Sequence, residues 1–380
     1  MVQIQARTVI SLKQKVIINT AAILSSIVCS MLFMYSMGLN PFLVYAKLFS
    51  GSLGTAYRFR ETVNKAIPLT VLSLGTGIAF KMKFWNIGAE GQFYMGAFGA
   101  TIIALFIPRL PGIVMIPFMM IMGLLFGALF ALIPALLKIK WGASETLVTL
   151  MLNYVAQKWV AYLQYGPWRD PKGNGFPQIA RFTKNAILPK LFGIHIGWVI
   201  ALLLAVLIFF LMKKSRLGYE VSVIGESVET ARYAGLNVSK TILIAISLSG
   251  ALCGLAGMMQ ASAIENSLSS SMSNSMGFTA VITTWLSRLN PLLMVLVSFI
   301  FSMLLQGGSF LQNALQVPAS MATILQGVII FFVLGSEFFV RYKVVLYKNE
   351  EGKRPFKKND EEKTEKAETT DKTESTEASK

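Results

Sequence analysis

The sequence predicts an all-α polytopic membrane protein of about ten transmembrane helices, built as a five-plus-five inverted repeat with broken helices. Three observations carry this. The 380 residues are 54% hydrophobic and only 14% charged, whereas soluble domains carry about 25% charged residues. Several nearly uncharged stretches reach 18 or more residues, the length a helix needs to cross a bilayer. Two Gly/Ser-rich strings, "LSLGTGIAF" from Leu72 and "ISLSGALCG" from Ile246, are each followed by a polar interruption. In a ten-span chain these strings run in opposite directions, as an inverted repeat requires.

The elements follow in order. Arg7, Lys13 and Lys15 precede the first apolar run, 17–37. That run is too long for a cleaved leader, so it reads as a retained span behind a cytoplasmic N-terminus, 1–16. Further runs at 64–80, 89–107, 113–137, 145–165, 192–212, 240–262, 290–310 and 320–341 are the next spans, and "GFTAVITTWLS" at 277–287 completes ten. Basic residues concentrate in cytoplasmic loops. Lys81 and Lys83 follow the second span, Lys138 and Lys140 the fourth, and "KKSR" at 213–216 the sixth. The tail from Arg341 and Lys343 joins them on that side only if 277–287 also crosses. The expectation is therefore a transmembrane domain at 17–341 with both termini cytoplasmic, and loops 39–63 and 166–191 outside.

The net charge of +16 resolves into two parts. From Lys348 onward there are nine Lys/Arg and ten Asp/Glu, and the remaining 26 and nine give the membrane body +17. That excess flanks apolar runs, where anionic lipid explains it, so no nucleic-acid partner is expected. The tail, 342–380, is expected to be cytoplasmic and largely disordered, because "KNDEEKTEKAETTDKTESTEASK" from Lys358 is low-complexity, charged and Thr-rich. Cys29 and Cys253 lie in apolar runs without metal-ligand spacing, so neither a metal site nor a disulfide framework is implied. His195 opens an apolar run and reads as an interfacial residue, because no nucleophile or carboxylate accompanies it.

Three segments are candidates for function. In "KMKFWNIGAEGQFYM" at 81–95, Asn86 is an N-cap for a helix starting at Ile87, and Glu90 falls in the positive first turn. Glu90, Tyr94, Ala97 and Thr101 share one face. The stretch admits two readings: a cap with a packing face, or a broken helix that turns Gln92 and backbone N–H groups toward a passage. The second segment is the stripe Glu145, Thr149, Asn153 and Gln157 in the fifth span. It must face the bundle interior, since a charged group in hydrocarbon costs about 2.5–3.5 kcal/mol. Interhelical hydrogen bonding and a pathway lining both fit it. Third, the loop 213–239 holds a short helix at 226–234, with Glu226 and Glu229 early, Arg232 late and Gly235 as its stop. A helix that short does not persist alone in water, so it is expected to dock into a cytoplasmic partner. No GxxxxGK[S/T] string is present, so any ATPase that drives transport is a separate chain.

"AFKMKFWNIGAEGQ", "ARYAGLN", "LSGALCGLAG" and "GFTAVITTWLSRLNP" resemble the permease subunits of bacterial ABC importers for nucleosides, within the wider family serving ribose and branched-chain amino acids. The resemblance covers roughly 17–340 in order. It implies a nucleoside-translocating subunit with no enzymatic activity and no cofactor of its own, ATP and Mg being held by a cytoplasmic ABC ATPase. It also implies a second permease subunit and an extracellular substrate-binding lipoprotein. The segment 219–236 matches the coupling helix that enters a groove on the ATPase, so Gly225, Glu226, Glu229, Thr230, Ala231, Arg232, Tyr233 and Gly235 are the expected coupling residues. For the substrate pathway the expected residues are Trp85, Asn86, Glu90, Gln92 and Asn153, with Asn266, Ser269 and Ser270 from the second polar break. Two departures stand out: "VITTWLSR" at 281–288, where relatives more often read "IAVALLGR", and Val223, where a basic residue is usual. A sugar or branched-chain amino-acid permease is the alternative within the family. An ion-coupled secondary transporter is the alternative outside it, disfavoured because Glu90 and Glu145 lie near span ends.

Overall fold

The computed structural model describes residues 2–6, 11–171, 175–316, 342–346 and scattered positions between 324 and 340. In chain order the elements are β1 (Val2–Ala6), α1 (Leu12–Ser36), α2 (Pro41–Leu53), α3 (Ala56–Lys81), α4 (Ala89–Phe106), α5 (Gly112–Trp141) and α6 (Glu145–Tyr165). There follow β2 (Lys190–Leu191), β3 (Ile194–His195), α7 (Gly197–Lys214), α8 (Arg216–Glu226), α9 (Val228–Tyr233), α10 (Val238–Gln260), α11 (Met276–Leu286), α12 (Pro291–Leu315) and β4 (Tyr342–Leu346). Residues 1–21 with 335–380 form one unit, and 22–334 the other. In the first unit β1 pairs antiparallel with β4, Ile4 opposite Val344, which joins the two ends of the chain. The expected span 320–341 lies mostly outside the described residues, as does the tail beyond 346.

Local signals set the helix boundaries. Asn40 caps α2 ahead of Pro41, and Asn290 caps α12 ahead of Pro291; proline at the first helical position lacks only an N–H that would be unpaired anyway. Gly142 closes α5 in the left-handed region at φ 64°. Every predicted span within the described residues coincides with a helix. By length and apolarity, however, only α3, α5, α7, α12 and α10 with its extension to Glu265 qualify as candidate spans among the described residues, or six if α1 and α2, bent by 114°, count as one. α4 and α6 fall short because their polar stripes lower the hydropathy. α11 has 11 residues, about 16 Å of rise against a hydrocarbon core of about 30 Å. The segment expected to be loop at 39–63 also contains a helix, α2.

α10 is the centre of the second unit and packs on α3, α4 and α5. Small residues allow the approach: a Cβ built on Gly254 would lie 2.2 Å from the Gly123 carbonyl oxygen, and one on Gly96 would lie 2.1 Å from the Gly254 Cα. Within a bilayer such contacts drive helix association, since lipid tails supply no competing hydrophobic force. The two repeated strings meet here, because a Cβ on Gly75 would come 2.7 Å from the Ser249 carbonyl oxygen.

Candidate functional site

The polar break at 82–88 is a folded knot. Asn86 is fully buried and exchanges side-chain amide bonds with Gln92: Asn86 Nδ2 donates to Gln92 Oε1 at 3.1 Å, and Gln92 Nε2 donates to Asn86 Oδ1 at 3.0 Å. Asn86 Nδ2 also reaches Ser249 Oγ at 3.2 Å. The helix expected from Ile87 starts instead at Ala89, and Gly88 is its N-cap without a side-chain bond. Asn86 Oδ1 accepts from the Gly88 N–H two residues on, a local turn that delays the helix. Asn153 closes the knot from α6: its Oδ1 accepts from Gly91 N at 2.8 Å, and its Nδ2 donates to the Ile87 carbonyl at 2.9 Å. Thr149 is buried beside it, whereas Gln157 is exposed. Trp85 stands half exposed, stacked on Trp285 at 5.5 Å between ring centres.

The second break follows α10. Residues Ala261–Glu265 widen into a π-helical turn, and Asn266 leaves it in the left-handed region at φ 54°. π-turns cluster at functional positions because the inserted residue re-aims the helix. Asn274 and Ser275 are left-handed as well, at φ 45° and 62°, conformations that cost a non-glycine residue and persist only when the surroundings impose them. Glu90 imposes them here. Its carboxylate accepts from Ser273 Oγ and from the Gly277 N–H at 2.7 Å. Tyr94 donates to the Ser270 carbonyl at 2.7 Å, and Ser270 N donates to Gln164 Oε1 at 2.8 Å; Ser269 Oγ bonds to Ser271 within the loop itself.

Beside this break opens a cavity of about 720 Å³. Its polar wall is supplied by Lys65 of α3, Gln260 and Glu265 at the end of α10, Asn274 and Ser275 of the strained turn, and Gln312 of α12. Phe278 offers an aromatic face. Lys65 Nζ contacts Ser309 Oγ at 3.5 Å, and the buried Gln260 Oε1 has no hydrogen-bond partner among the described residues. Of the eight residues expected on a pathway, none lines this cavity; Glu90 bonds to the loop that does, and Asn266, Ser269 and Ser270 lie within that loop. Lys65, Gln260 and Gln312 are not legible from the sequence as a group because they come from three separate helices and Lys65 and Gln312 sit among other polar residues; only Gln260 stands isolated in an apolar run. That isolation is itself the available signal, since intramembrane polar groups are expensive to keep.

The loop after α7 makes a second feature. The single helix expected at 226–234 is two, because Ser227 at φ −153° ends α8 and caps α9, its Oγ accepting from Thr230 N. Glu226 therefore closes a helix rather than opening one. Gly225 and Ala231 are buried, whereas Glu226, Glu229, Thr230, Arg232 and Tyr233 are exposed, and Gly235 stops the segment at φ 73°. The knob is braced. Thr241 Oγ1 donates to Glu220 Oε2 at 2.7 Å and Arg216 Nε to Oε1 at 2.8 Å, and these two donors, Thr241 first, hold the Glu220 carboxyl below its ordinary range. The basic ends of α3 and α7 lie on this side, with Lys81 Nζ 3.5 Å from the Met212 carbonyl.

Residues 59–334 match the family of branched-chain amino acid transport system permease components. The chain is 33% identical to the glucose ABC transporter permease protein TsgB13 of Haloferax volcanii, over 81% of this chain and 84% of that one. It is 28% identical to the nucleoside ABC transporter permease protein NupB of Lactococcus lactis, over 84% and 91%. To the guanosine ABC transporter permease protein NupP of Bacillus subtilis it is 27% identical, over 84% and 93%.

Proposed function

This chain belongs to the branched-chain amino acid transport system permease family, as a multi-pass ABC permease that performs no covalent chemistry, and from that premise we propose that it carries nucleosides into the cell. In this reading a separate ABC ATPase binds the α8–α9 knob and hydrolyses ATP, a second permease subunit completes the passage, and an extracellular lipoprotein delivers the solute. Both chain ends are cytoplasmic, which the β1–β4 pairing supports because it requires the two ends on one side.

The observation that carries the solute class is the polar cavity. Amide, hydroxyl and carboxylate groups from Gln260, Asn274, Ser275, Glu265 and Gln312 face a space of about 720 Å³, and Phe278 adds a face on which a base can stack. An aliphatic amino-acid side chain would leave these groups without partners, at about 1–3 kcal/mol for each one buried. A sugar is the second reading, favoured by the glucose-permease relative; it would use the hydroxyl partners and leave Phe278 idle.

The test is competition. In vesicles holding the assembled transporter, ATP-dependent uptake of labelled guanosine should be blocked by excess uridine and untouched by excess glucose or leucine. Uptake of glucose that nucleosides fail to compete would establish the sugar reading. Uptake driven by an ion gradient with the ATPase disabled would remove the importer reading altogether.

A further inference from the structure

A separate apolar groove of about 550 Å³ lies between α3, α7 and α12. Along α3 it is lined by Phe59, Val63, Ile67 and Thr70, which recur at helical spacing over about 16 Å of rise. That is half of a bilayer's hydrocarbon thickness of about 30 Å, the reach of one acyl chain within one leaflet. The opposite wall comes from Leu292, Val295 and Phe299 of α12, with Ala201 of α7 as the floor. Phe59 and Phe299 meet at one end, 6.2 Å between ring centres.

That end is chemically different from the rest. The β2–β3 hairpin overhangs it with Phe192 and Ile194. Arg60 of α3 lies against the hairpin turn, its guanidinium within 2.9 Å of where a Gly193 Cβ would sit. Arg60 is exposed, and among the described residues no Asp or Glu lines the groove. Trp198, at the start of α7, lines the groove and has an indole N–H buried without a hydrogen-bond partner among the described residues. Tryptophan belongs at membrane interfaces because its body is apolar and its N–H seeks an acceptor.

We propose that this groove holds one acyl chain of an anionic phospholipid, with the headgroup phosphate at Arg60. An empty apolar concavity forfeits dispersion contacts along its whole wall, and a flexible chain of the right length restores them. The cation at the mouth and the half-bilayer length favour a lipid over a helix of another subunit, which would continue past Thr70 across the full membrane.

The full-length chain is placed in nanodiscs containing phosphatidylglycerol or phosphatidylcholine that carries a diazirine in one acyl chain, then photolysed and mapped by peptide mass spectrometry. Phosphatidylglycerol should label the segments 63–70 and 295–299 at least tenfold more than the equally apolar, exposed face of α7 at Leu203 and Leu207. Unlabelled phosphatidylglycerol should compete this labelling without any mutation. Ala201→Trp should abolish it by filling the floor, and Arg60→Gln should erase the preference over phosphatidylcholine. Equal labelling of the groove and of the Leu203 face overturns the site. Equal labelling of the wild-type groove by the two lipids overturns the anionic assignment, and a groove that takes no lipid label at all when the same experiment is run on the assembled transporter is an interface with another subunit.

Discussion

The Glu90 carboxylate accepts the backbone N–H of Gly277 at 2.7 Å, joining the first turn of α4 to the first turn of α11 across 187 residues. The approach is close enough that a Cβ on Gly277 would lie 2.4 Å from the Glu90 nitrogen. Both polar breaks of the chain are thereby fixed to each other, and the turn bearing Asn274 and Ser275 is held over the cavity.

Glu90 and Asn86 should separate on mutation. Glu90→Ala leaves the Gly277 N–H unpaired in a buried setting, a cost of about 1–3 kcal/mol, and frees the strained turn. Uptake per folded molecule should fall at least tenfold, with Glu90→Gln intermediate because it keeps one acceptor. Asn86→Ala breaks the buried amide exchange with Gln92 and the bonds to Ser249 Oγ and the Gly88 N–H, none of which reaches the turn over the cavity, so it should lower the yield of folded protein while each molecule transports normally. Wild-type uptake per molecule in Glu90→Ala would show that the turn needs no such anchor.

The departure "VITTWLSR" has a structural account. Thr283 Oγ1 lies 2.5 Å from Ser73 Oγ, and Thr284 Oγ1 lies 2.6 Å from Thr76 Oγ1, while Trp285 stacks on Trp85. The α3 hydroxyls keep fallback acceptors on their own helix, Ser73 to the Leu69 carbonyl at 2.8 Å and Thr76 to the Leu72 carbonyl at 3.2 Å. Thr283→Val or Thr284→Val should therefore cost only about 0.6 kcal/mol each, the usual interhelical value. Trp285→Ala loses an aromatic pair worth about 0.5–1.5 kcal/mol beyond its buried area. Thermal unfolding in detergent should rank Trp285→Ala as the most damaging of the three.

Hydropathy made the helices legible, since a nearly uncharged apolar run of about 18 residues or more satisfies its backbone in a bilayer only as a helix. Span 145–165 coincides with α6 to the residue. What composition could not supply was tertiary. Asn86 reads as a cap in isolation, and only the arrival of Gln92, Ser249 and Asn153 turns it into a buried knot. The cavity was invisible for the same reason: Lys65, Gln260 and Gln312 come from three helices far apart in sequence. The knob was readable because its stops are local, Gly235 at one end and Ser227 within, although the cap at Ser227 split one expected helix into two.

His195, expected at an interface, is buried at 1% exposure in the hairpin that precedes the α7 span. Its backbone N–H donates to Asn64 Oδ1, its Nε2 lies 3.4 Å from the Asn64 carbonyl, and its Nδ1 has no partner among the described residues. Burial pushes its pKa down to about 4; the Asn64 backbone contact opposes this in part, and the positive charge of Lys190 across the hairpin adds a lesser downward push. The unfolded side chain titrates near 6.5, so the unfolded state binds the extra proton as the pH falls. The stability contributed by the neutral ring is complete above 6.5 and is lost progressively between 6.5 and 4, a total of about 3 kcal/mol. The unfolding midpoint should drop more between pH 7.5 and pH 5 for wild type than for His195→Gln. An equal drop in both proteins would place the acid sensitivity elsewhere.

The α8–α9 knob presents Tyr233 at 95% exposure, at the end of a six-residue helix that buries only Ala231. A large aromatic side chain with almost no contact in its own protein is what a partner's pocket recognises, since anchors of this type dominate interface energies. Tyr233→Ala removes nothing from the fold, so the melting temperature should stay within about 1 °C. Co-purification with the ATPase, or ATPase stimulation by the assembled permease, should fall at least tenfold. Ala231→Pro acts through the backbone instead. It deletes the bond from Ala231 N to the Ser227 carbonyl at 3.1 Å, an interior helix defect costing about 3 kcal/mol. It should likewise uncouple the ATPase, with the spans on either side still inserted. The pair separates a docking surface from a scaffold. If Tyr233→Ala keeps full ATPase coupling while Ala231→Pro loses it, the partner reads the shape of the knob and the tyrosine is not its anchor. If both retain wild-type uptake, another cytoplasmic loop transmits the motion.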